Sequence, residues 1–175
     1  MGKKKDGTAQ GVAKLRHIET MFNEPGKKQL FQDPYAHKMY TGAGITACLG
    51  WKCIKCMVKG LGGGLLYLLT GRTKWLDDVW MEAVEDGITQ VVICGAGYDM
   101  RGYRLDLPDD VRVFEVDQPE VQALKKAKVA RCNVPKRNVH MVPIDFNKNT
   151  LEELAKVEGY DPSARTLFTM EGLTQ

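Results

Sequence analysis

Short apolar runs alternate with longer amphipathic segments throughout the second half of the chain. Four runs have the length of a buried strand, and they cover residues 89–94, 111–116, 139–144 and 165–170. A helical pattern from Pro119 to Arg131 separates the second run from the third, with the proline at a position suited to a first helical turn. The sequence Thr150-Leu-Glu-Glu153 is a capping box that predicts a further helix before the fourth run. This alternation predicts a parallel sheet with right-handed crossovers, which is an α/β fold.

The first half of the chain carries helical patterns instead. Residues 1–10 are polar and predict a frayed tail. The spacing then predicts an amphipathic helix that ends near Pro25, with apolar positions at Val12, Leu15, Ile18 and Phe22. The glycine-rich residues 41–71 predict short helical pieces around a flexible joint.

A second helix is predicted over residues 73–86, and Gly87 is placed to end it. Its apolar positions include Trp75 and Trp80, which we expect to lie in the core rather than to form a substrate platform.

The length of 175 residues suits a single structural domain. Within it, we expect residues 1–87 to form the tail and a helical cap. Residues 88–175 then form the core that carries the sheet.

The charge balance limits the classes of partner. Lys and Arg number 25 against 22 Asp and Glu, and the net charge of +3 is too small to indicate a nucleic-acid partner. No window of about 20 residues is free of charge, so no membrane span is predicted. No apolar segment follows the N-terminal lysines, and Asp6 replaces the hydroxyl residue of a myristoylation signal. We therefore expect a soluble cytoplasmic protein. The basic run on the 119–131 helix predicts its solvent face, and comprises Lys125, Lys126, Lys128 and Arg131.

The five cysteines form an odd set, which is typical of reduced thiols. Cys53 and Cys56 have the spacing of metal ligands, and Cys48 could supply a third. A closed zinc site needs a fourth ligand, and no second pair offers one. We therefore predict no metal site.

A glycine turn follows the first apolar run, in the sequence Cys94-Gly-Ala-Gly97. Such a turn after a strand brings backbone N–H groups close to a bound nucleotide or nucleoside. The dinucleotide fingerprint needs a third glycine three residues later, and that position holds Met100. The turn instead carries Asp99 and Arg101, which place two charges at the mouth of the site.

The later strands bring carboxylates to the same edge of the sheet. Glu115 and Asp117 end the second strand about 20 residues beyond the turn, where a carboxylate can accept the hydroxyl groups of a ribose. Asp145 and Phe146 end the third strand, where an adenine ring could be bonded and stacked, and Glu171 ends the fourth. The competing interpretation is structural, because Asp117 and Asp145 could cap the helices that follow them and Glu171 could be an ordinary strand-end residue.

Together these motifs resemble the leucine carboxyl methyltransferase family of S-adenosyl-L-methionine-dependent methyltransferases. The matching blocks are residues 30–36, 71–73 with Asp77, 95–101 with 103–105, 114–119, 143–146 and 171–174. The resemblance implies a Rossmann-like class I methyltransferase fold, with helices on both faces of a parallel sheet and an N-terminal helical cap. Members of the family continue well beyond the fourth strand, so we expect the C-terminal strands to be missing from this chain.

The resemblance also implies S-adenosyl-L-methionine as the cofactor and assigns its contacts. Arg72 pairs with the methionine carboxylate, and Gly95 and Gly97 approach the methionyl part. Asp117 holds the ribose, with Glu115 as its rival, and Glu171 lies near the amino group or the sulfonium. The full set of implied cofactor-binding residues is Arg72, Gly95, Gly97, Asp99, Glu115, Asp117, Asp145, Phe146 and Glu171.

The function that follows is methyl transfer to a carboxylate or hydroxyl oxygen of an unidentified small-molecule or protein acceptor. No residue is nominated as a catalytic base, since a carboxylate acceptor needs none. Two alternatives stay open: a truncated, non-catalytic cofactor-binding module, and an NAD-dependent oxidoreductase, against which Met100 counts. Self-association through the unfinished sheet is a further expectation.

Overall fold

A computed structural model describes residues 6–21, 28–49, 53–54, 56 and 64–171 of the chain. The chain divides into two compact units, Met1–Asp78 and Val79–Gln175. In the described part, no helix has the length and hydropathy that a membrane span requires.

The first unit is helical, as the sequence predicts. Its elements are α1 (Gly7–Met21), a 3₁₀ turn (Ala36–Lys38), α2 (Ala43–Cys48) and the greater part of α3 (Leu65–Glu85). The prediction of a frayed tail over residues 1–10 is wrong from Gly7 onward. Asp6 begins the helix there, because its carboxylate and its carbonyl oxygen both accept hydrogen bonds from Gln10.

Two groups of buried side chains hold this unit together. The guanidinium of Arg16 donates to the carboxylate of Asp33 at 2.9 Å, and both side chains are almost fully buried. A small apolar cluster joins Ile18 of α1 to Ile54 and Leu66. Residues 50–52, 55 and 57–63 of the predicted flexible joint lie outside the described residues.

Helix α3 corrects one prediction about the core. Trp80 is fully buried, whereas Trp75 is 62% exposed. Five residues correspond to a rotation of about 140° around a helix, so the two side chains cannot both face the same core. The helix ends as predicted. Gly87 has a φ of 84°, and the N–H groups of Gly87 and Ile88 donate to the carbonyls of Val84 and Ala83.

The second unit contains a four-stranded parallel sheet in the order β3-β2-β1-β4. The strands are β1 (Gln90–Cys94), β2 (Arg112–Asp117), β3 (Val139–Pro143) and β4 (Thr166–Met170). Their connections contain α4 (Arg101–Arg104), α5 (Pro119–Val129) and a 3₁₀ helix (Leu151–Lys156). Each strand boundary lies within one residue of its prediction. The predicted Rossmann-like α/β fold is confirmed.

Successive residues of β1 feed two separate cores, because side chains alternate between the faces of a sheet. Val91 and Ile93 pack in one cluster with Trp80 of α3. Val92 and Cys94 pack in the other with Leu154 of the 3₁₀ helix. The sheet is therefore covered on both faces.

The predicted capping box does not form. The hydroxyl of Thr150 contacts Glu152 at 3.3 Å and makes no capping hydrogen bond to the backbone. Glu153 pairs with Lys156 at 2.7 Å. The segment forms a 3₁₀ helix rather than an α-helix, since neither half of the reciprocal box stabilises an α-helical first turn.

Candidate functional site

The candidate site lies at the carboxyl ends of the strands, where the order of the sheet reverses. The chain runs outward from β1 to β2 and β3, and then crosses back to place β4 on the other side of β1. In open α/β sheets, ligands bind in the crevice outside this topological switch point. The glycine turn follows β1, so the reversal places it at the crevice.

The glycine turn has a backbone that requires glycine. Gly95 and Gly97 have φ values of 71° and 45°, in the left-handed region that other L-residues rarely adopt. The N–H groups of Gly95 and Ala96 donate to the carbonyl oxygen of Val116 at 2.8 and 3.0 Å. These bonds tie the turn to the end of β2.

Asp117 lies directly against this turn. One of its carboxylate oxygens accepts the N–H of Gly97 at 2.6 Å, and the other accepts the N–H of Gln118 at 2.7 Å. Helix α5 begins at Pro119 with Gln118 as its N-cap, so Asp117 does not occupy the capping position. The structure thus brings together the glycine turn and the carboxylate that the sequence assigns to the ribose.

Glu115 takes a different position from Asp117. Its side chain is fully buried and contacts the Lys125 ammonium group at 2.7 Å. Burial raises the pKa of Glu115 to about 7, against the opposing effect of Lys125. The prediction of a solvent-facing basic run is wrong for Lys125, which is 1% exposed. The signal that could have revealed it is Glu115 itself, because a carboxylate in a buried strand requires a cation nearby.

Asp145 and Phe146 follow β3 beside the end of β2. The backbone N–H of Ile144 donates to the carbonyl oxygen of Asp117 at 2.9 Å, which fixes the two strand ends together. Phe146 packs partly buried against the cluster on that face of the sheet. The side chain and backbone of Asn147 donate to the Asp145 carboxylate and lower its pKa. Asp145 is therefore an ionised acceptor at neutral pH.

Asp145 also orders the turn that it begins. Its carboxylate accepts the N–H of Asn147 at 3.1 Å, and its carbonyl oxygen accepts the N–H groups of Lys148 and Asn149. The alternative structural interpretation therefore has support at Asp145, where the carboxylate stabilises a turn rather than an α-helix.

Arg101 connects the remaining two candidates. Its guanidinium Nη1 lies 2.5 Å from a carboxylate oxygen of Asp99 and 2.6 Å from a carboxylate oxygen of Glu171. Its side chain is 2% exposed. Arg101 belongs to the turn motif, but the sequence assigns it no role. Glu171 lies 70 residues away along the chain, so no local sequence pattern could have predicted its contact with Arg101.

Arg72 lies in α3 within the first unit and is partly buried. Its pairing with a ligand carboxylate stays a prediction.

The residues at the switch point fit the cofactor that the family resemblance implies. An adenosine with an amino-acid tail carries several hydrogen-bond donors: the ribose hydroxyls, the adenine amino group and an ammonium group. Asp117, Asp145 and Glu171 supply carboxylate acceptors along one edge of the sheet. The glycine turn supplies a backbone without β-carbons beside them.

Comparison with known proteins agrees with this geometry. The leucine carboxyl methyltransferase family model matches residues 9–175. A protein of Mycolicibacterium smegmatis is 33% identical over 177 residues. Proteins of Mycobacterium bovis and Mycobacterium tuberculosis are each 33% identical over 173 residues. All three are named "Putative S-adenosyl-L-methionine-dependent methyltransferase".

The alignments cover 95% of this chain but only 56% of the M. smegmatis protein and 48% of each of the other two. The chain thus spans about half the length of the curated relatives that it matches. The family match nevertheless includes every block of the switch-point site, from the glycine turn to Glu171. This chain belongs to the leucine carboxyl methyltransferase family.

Proposed function

We propose that this chain binds S-adenosyl-L-methionine at the switch point and serves the transfer of its methyl group to an acceptor oxygen. The observation that carries the proposal is the contact between Asp117 and the N–H of Gly97. It places a carboxylate acceptor against a glycine turn, with Asp145 and Glu171 at the ends of neighbouring strands.

Each residue in the proposal has a simple task. Asp117 accepts hydrogen bonds from the ribose hydroxyls, and Asp145 accepts one from the adenine amino group while Phe146 lies against the ring. Glu171 accepts a hydrogen bond from the α-ammonium group of the cofactor. The planar guanidinium of Arg72 binds the methionine carboxylate of the cofactor.

The bound cofactor supplies a methyl group already activated by its sulfonium. The protein therefore needs mainly to orient donor and acceptor and to exclude water, and orientation of this kind can contribute about 7–11 kcal/mol to barrier lowering.

We infer that the acceptor is a carboxylate, because neither Tyr103 nor Glu115 is suited to act as a base. A hydroxyl acceptor would require a base, whereas a carboxylate is ionised at neutral pH. Burial raises the pKa of Tyr103 far above neutrality, so its phenol stays protonated. Glu115 is fully buried against Lys125 and cannot reach an acceptor.

The test uses cofactor labelled on the methyl group, incubated with carboxylate and hydroxyl acceptors of increasing size. Mild base hydrolyses a methyl ester and releases volatile methanol, whereas a methyl ether is stable. We expect base-labile label. Base-stable label would overturn the carboxylate assignment. Cofactor binding without transfer to any acceptor would favour the non-catalytic module.

The oxidoreductase alternative has less support. Met100 is fully buried where the dinucleotide fingerprint places its third glycine. Helix α4 spans only four residues (Arg101–Arg104), so its macrodipole can contribute little to binding a pyrophosphate.

We also propose that the protein works in the cytoplasm and associates with a second copy of itself. The structure describes all five cysteines and none is in a disulfide, which suits a reducing compartment.

For self-association, the supporting observation is β4, the last strand of the described sheet, where Phe168 and Met170 are 49% and 54% exposed. Analytical ultracentrifugation should show a dimer at micromolar concentration. A monomer throughout would contradict the proposal.

A further inference from the structure

Arg101 is a buried cation at the switch point, and its two carboxylate partners come from different parts of the chain. Asp99 lies in the turn after β1, whereas Glu171 follows β4. These two strands are neighbours in the sheet, with Cys94 paired to Met170. The Arg101 guanidinium therefore joins the carboxyl ends of β1 and β4 at the crevice.

Arg101 holds both carboxylates. Asp99 accepts two bonds from Arg101, one from the backbone N–H at 2.8 Å and one from the guanidinium. Glu171 accepts a bond from the same guanidinium nitrogen at 2.6 Å, and its side chain is 18% exposed. The exposed part of the Glu171 side chain can therefore contact a ligand while Arg101 holds the carboxylate.

A buried guanidinium is costly unless carboxylates compensate it, and losing it would leave two carboxylates close together in a poorly solvated place. Mutual repulsion would then move the Glu171 side chain. Arg101 thus determines where the Glu171 oxygens lie.

We propose that Arg101 is a positioning residue that holds the Glu171 carboxylate for the α-ammonium group of the cofactor. This inference rests on the proposed function, since it assumes that the amino-acid end of the cofactor lies beside Glu171. The adenosine end has a separate support. Asp117 is held by the N–H groups of Gly97 and Gln118, and neither bond involves Arg101.

The separation of the two supports predicts a selective defect. S-adenosylhomocysteine carries both the adenosine and the amino-acid end, whereas 5′-methylthioadenosine carries only the former. Arg101→Gln should weaken binding of S-adenosylhomocysteine about 10-fold or more, the effect of a lost charged hydrogen bond. Binding of 5′-methylthioadenosine should change by less than about 3-fold, a change under 1 kcal/mol.

Calorimetric titration of the 175-residue chain with both compounds tests this prediction. Arg165→Gln is the matched control, because it removes the same charge at the opposite end of β4. Glu171→Gln should reproduce the selective loss. The double variant Arg101→Gln/Glu171→Gln should lose little more than either single variant, because both changes remove one interaction.

Equal weakening of both compounds would show a general structural role and overturn the inference, and so would no weakening of either. If Arg101→Gln does not fold, Arg101→Lys decides, since it retains the charge but not the guanidinium geometry. If Arg101→Lys loses affinity selectively for S-adenosylhomocysteine, the inference is supported. If it binds both compounds as tightly as the wild-type chain does, the inference is overturned. Failure of the wild-type chain to bind either compound would overturn the proposed function and the inference with it.

Discussion

The carboxylate of Asp117 accepts the backbone N–H of Gly97 at 2.6 Å, across a separation of 20 residues. The contact joins the end of β2 to the turn after β1. It also explains why the spacing between a glycine turn and an acidic residue carries information about a ligand site: parallel neighbouring strands end at the same edge, so one turn can hold the other strand's carboxylate.

Asp117→Asn should reduce affinity for S-adenosylhomocysteine about 10- to 100-fold, the range expected for a charged hydrogen bond. Each carboxylate oxygen accepts a different N–H, so an amide must turn its NH₂ group toward one of the two donors. Calorimetry measures the loss. Asp110→Asn, an exposed residue just before β2, is the charge-matched control and should bind normally. Unchanged affinity in Asp117→Asn would contradict the assigned role.

Breaking the Glu115–Lys125 pair should destabilise the protein strongly. Both side chains are buried, so Lys125→Met leaves a buried carboxylate without its cation, at a cost of about 3–5 kcal/mol. The double variant Glu115→Gln/Lys125→Met should be less destabilised than the sum of the single variants. Urea unfolding of the wild type, Glu115→Gln, Lys125→Met and the double variant gives the coupling energy. Additive costs would show that the pair does not interact.

The same pair should make stability depend on pH. The pKa of Glu115 is about 7 in the folded chain against an ordinary value of 4.5, so between these values the folded state binds more protons than the unfolded state. The free energy of unfolding should therefore fall as pH rises through this window. The charged groups around Glu115 are Lys125, Asp99 and Asp117.

Comparison with the double variant Glu115→Gln/Lys125→Met isolates this contribution to the pH profile, because the variant lacks both partners. The wild-type free energy of unfolding, relative to that of the variant, should decrease from pH 4.5 to 7. An increase over that range would mean that the ion pair outweighs burial and lowers the pKa of Glu115.

Gly102 allows α4 to pack closely against the sheet. A β-carbon there would lie 3.0 Å from Val139 Cγ2 and 3.2 Å from Val113 Cγ1. Gly102→Ala should therefore cost about 1–3 kcal/mol through overpacking. Gly71→Ala in α3 is the control, because its β-carbon meets nothing within 4 Å and should stabilise the helix by about 0.5–1 kcal/mol. Equal thermal midpoints for the two variants would contradict this explanation.

The fold could be predicted because its signals are local. An apolar run reports a buried strand directly, and the alternation of strands with helices restricts their order to parallel arrangements. The same reasoning located Asp117, since its position depends only on where β2 ends. These features require no knowledge of which distant side chains meet.

The features that could not be predicted depend on contacts between distant residues or on the rotation of a helix. In the sequence, Lys125 is one member of a basic run typical of a solvated helix face. In the structure it is buried, because β2 brings Glu115 into contact with it. Arg101 gains its role from Glu171, whose position depends on where β4 joins the sheet. Trp75 is exposed because it lies on a different face of α3 from Trp80, which is buried.

Calorimetric titration of the chain with S-adenosyl-L-methionine, S-adenosylhomocysteine and NAD tests the central claim most directly. The carboxylates beside the glycine turn predict that both adenosylated amino acids bind, and more tightly than NAD, with one site per chain. Tighter binding of NAD, or affinity for S-adenosylhomocysteine that Asp117→Asn leaves unchanged, would contradict the claim.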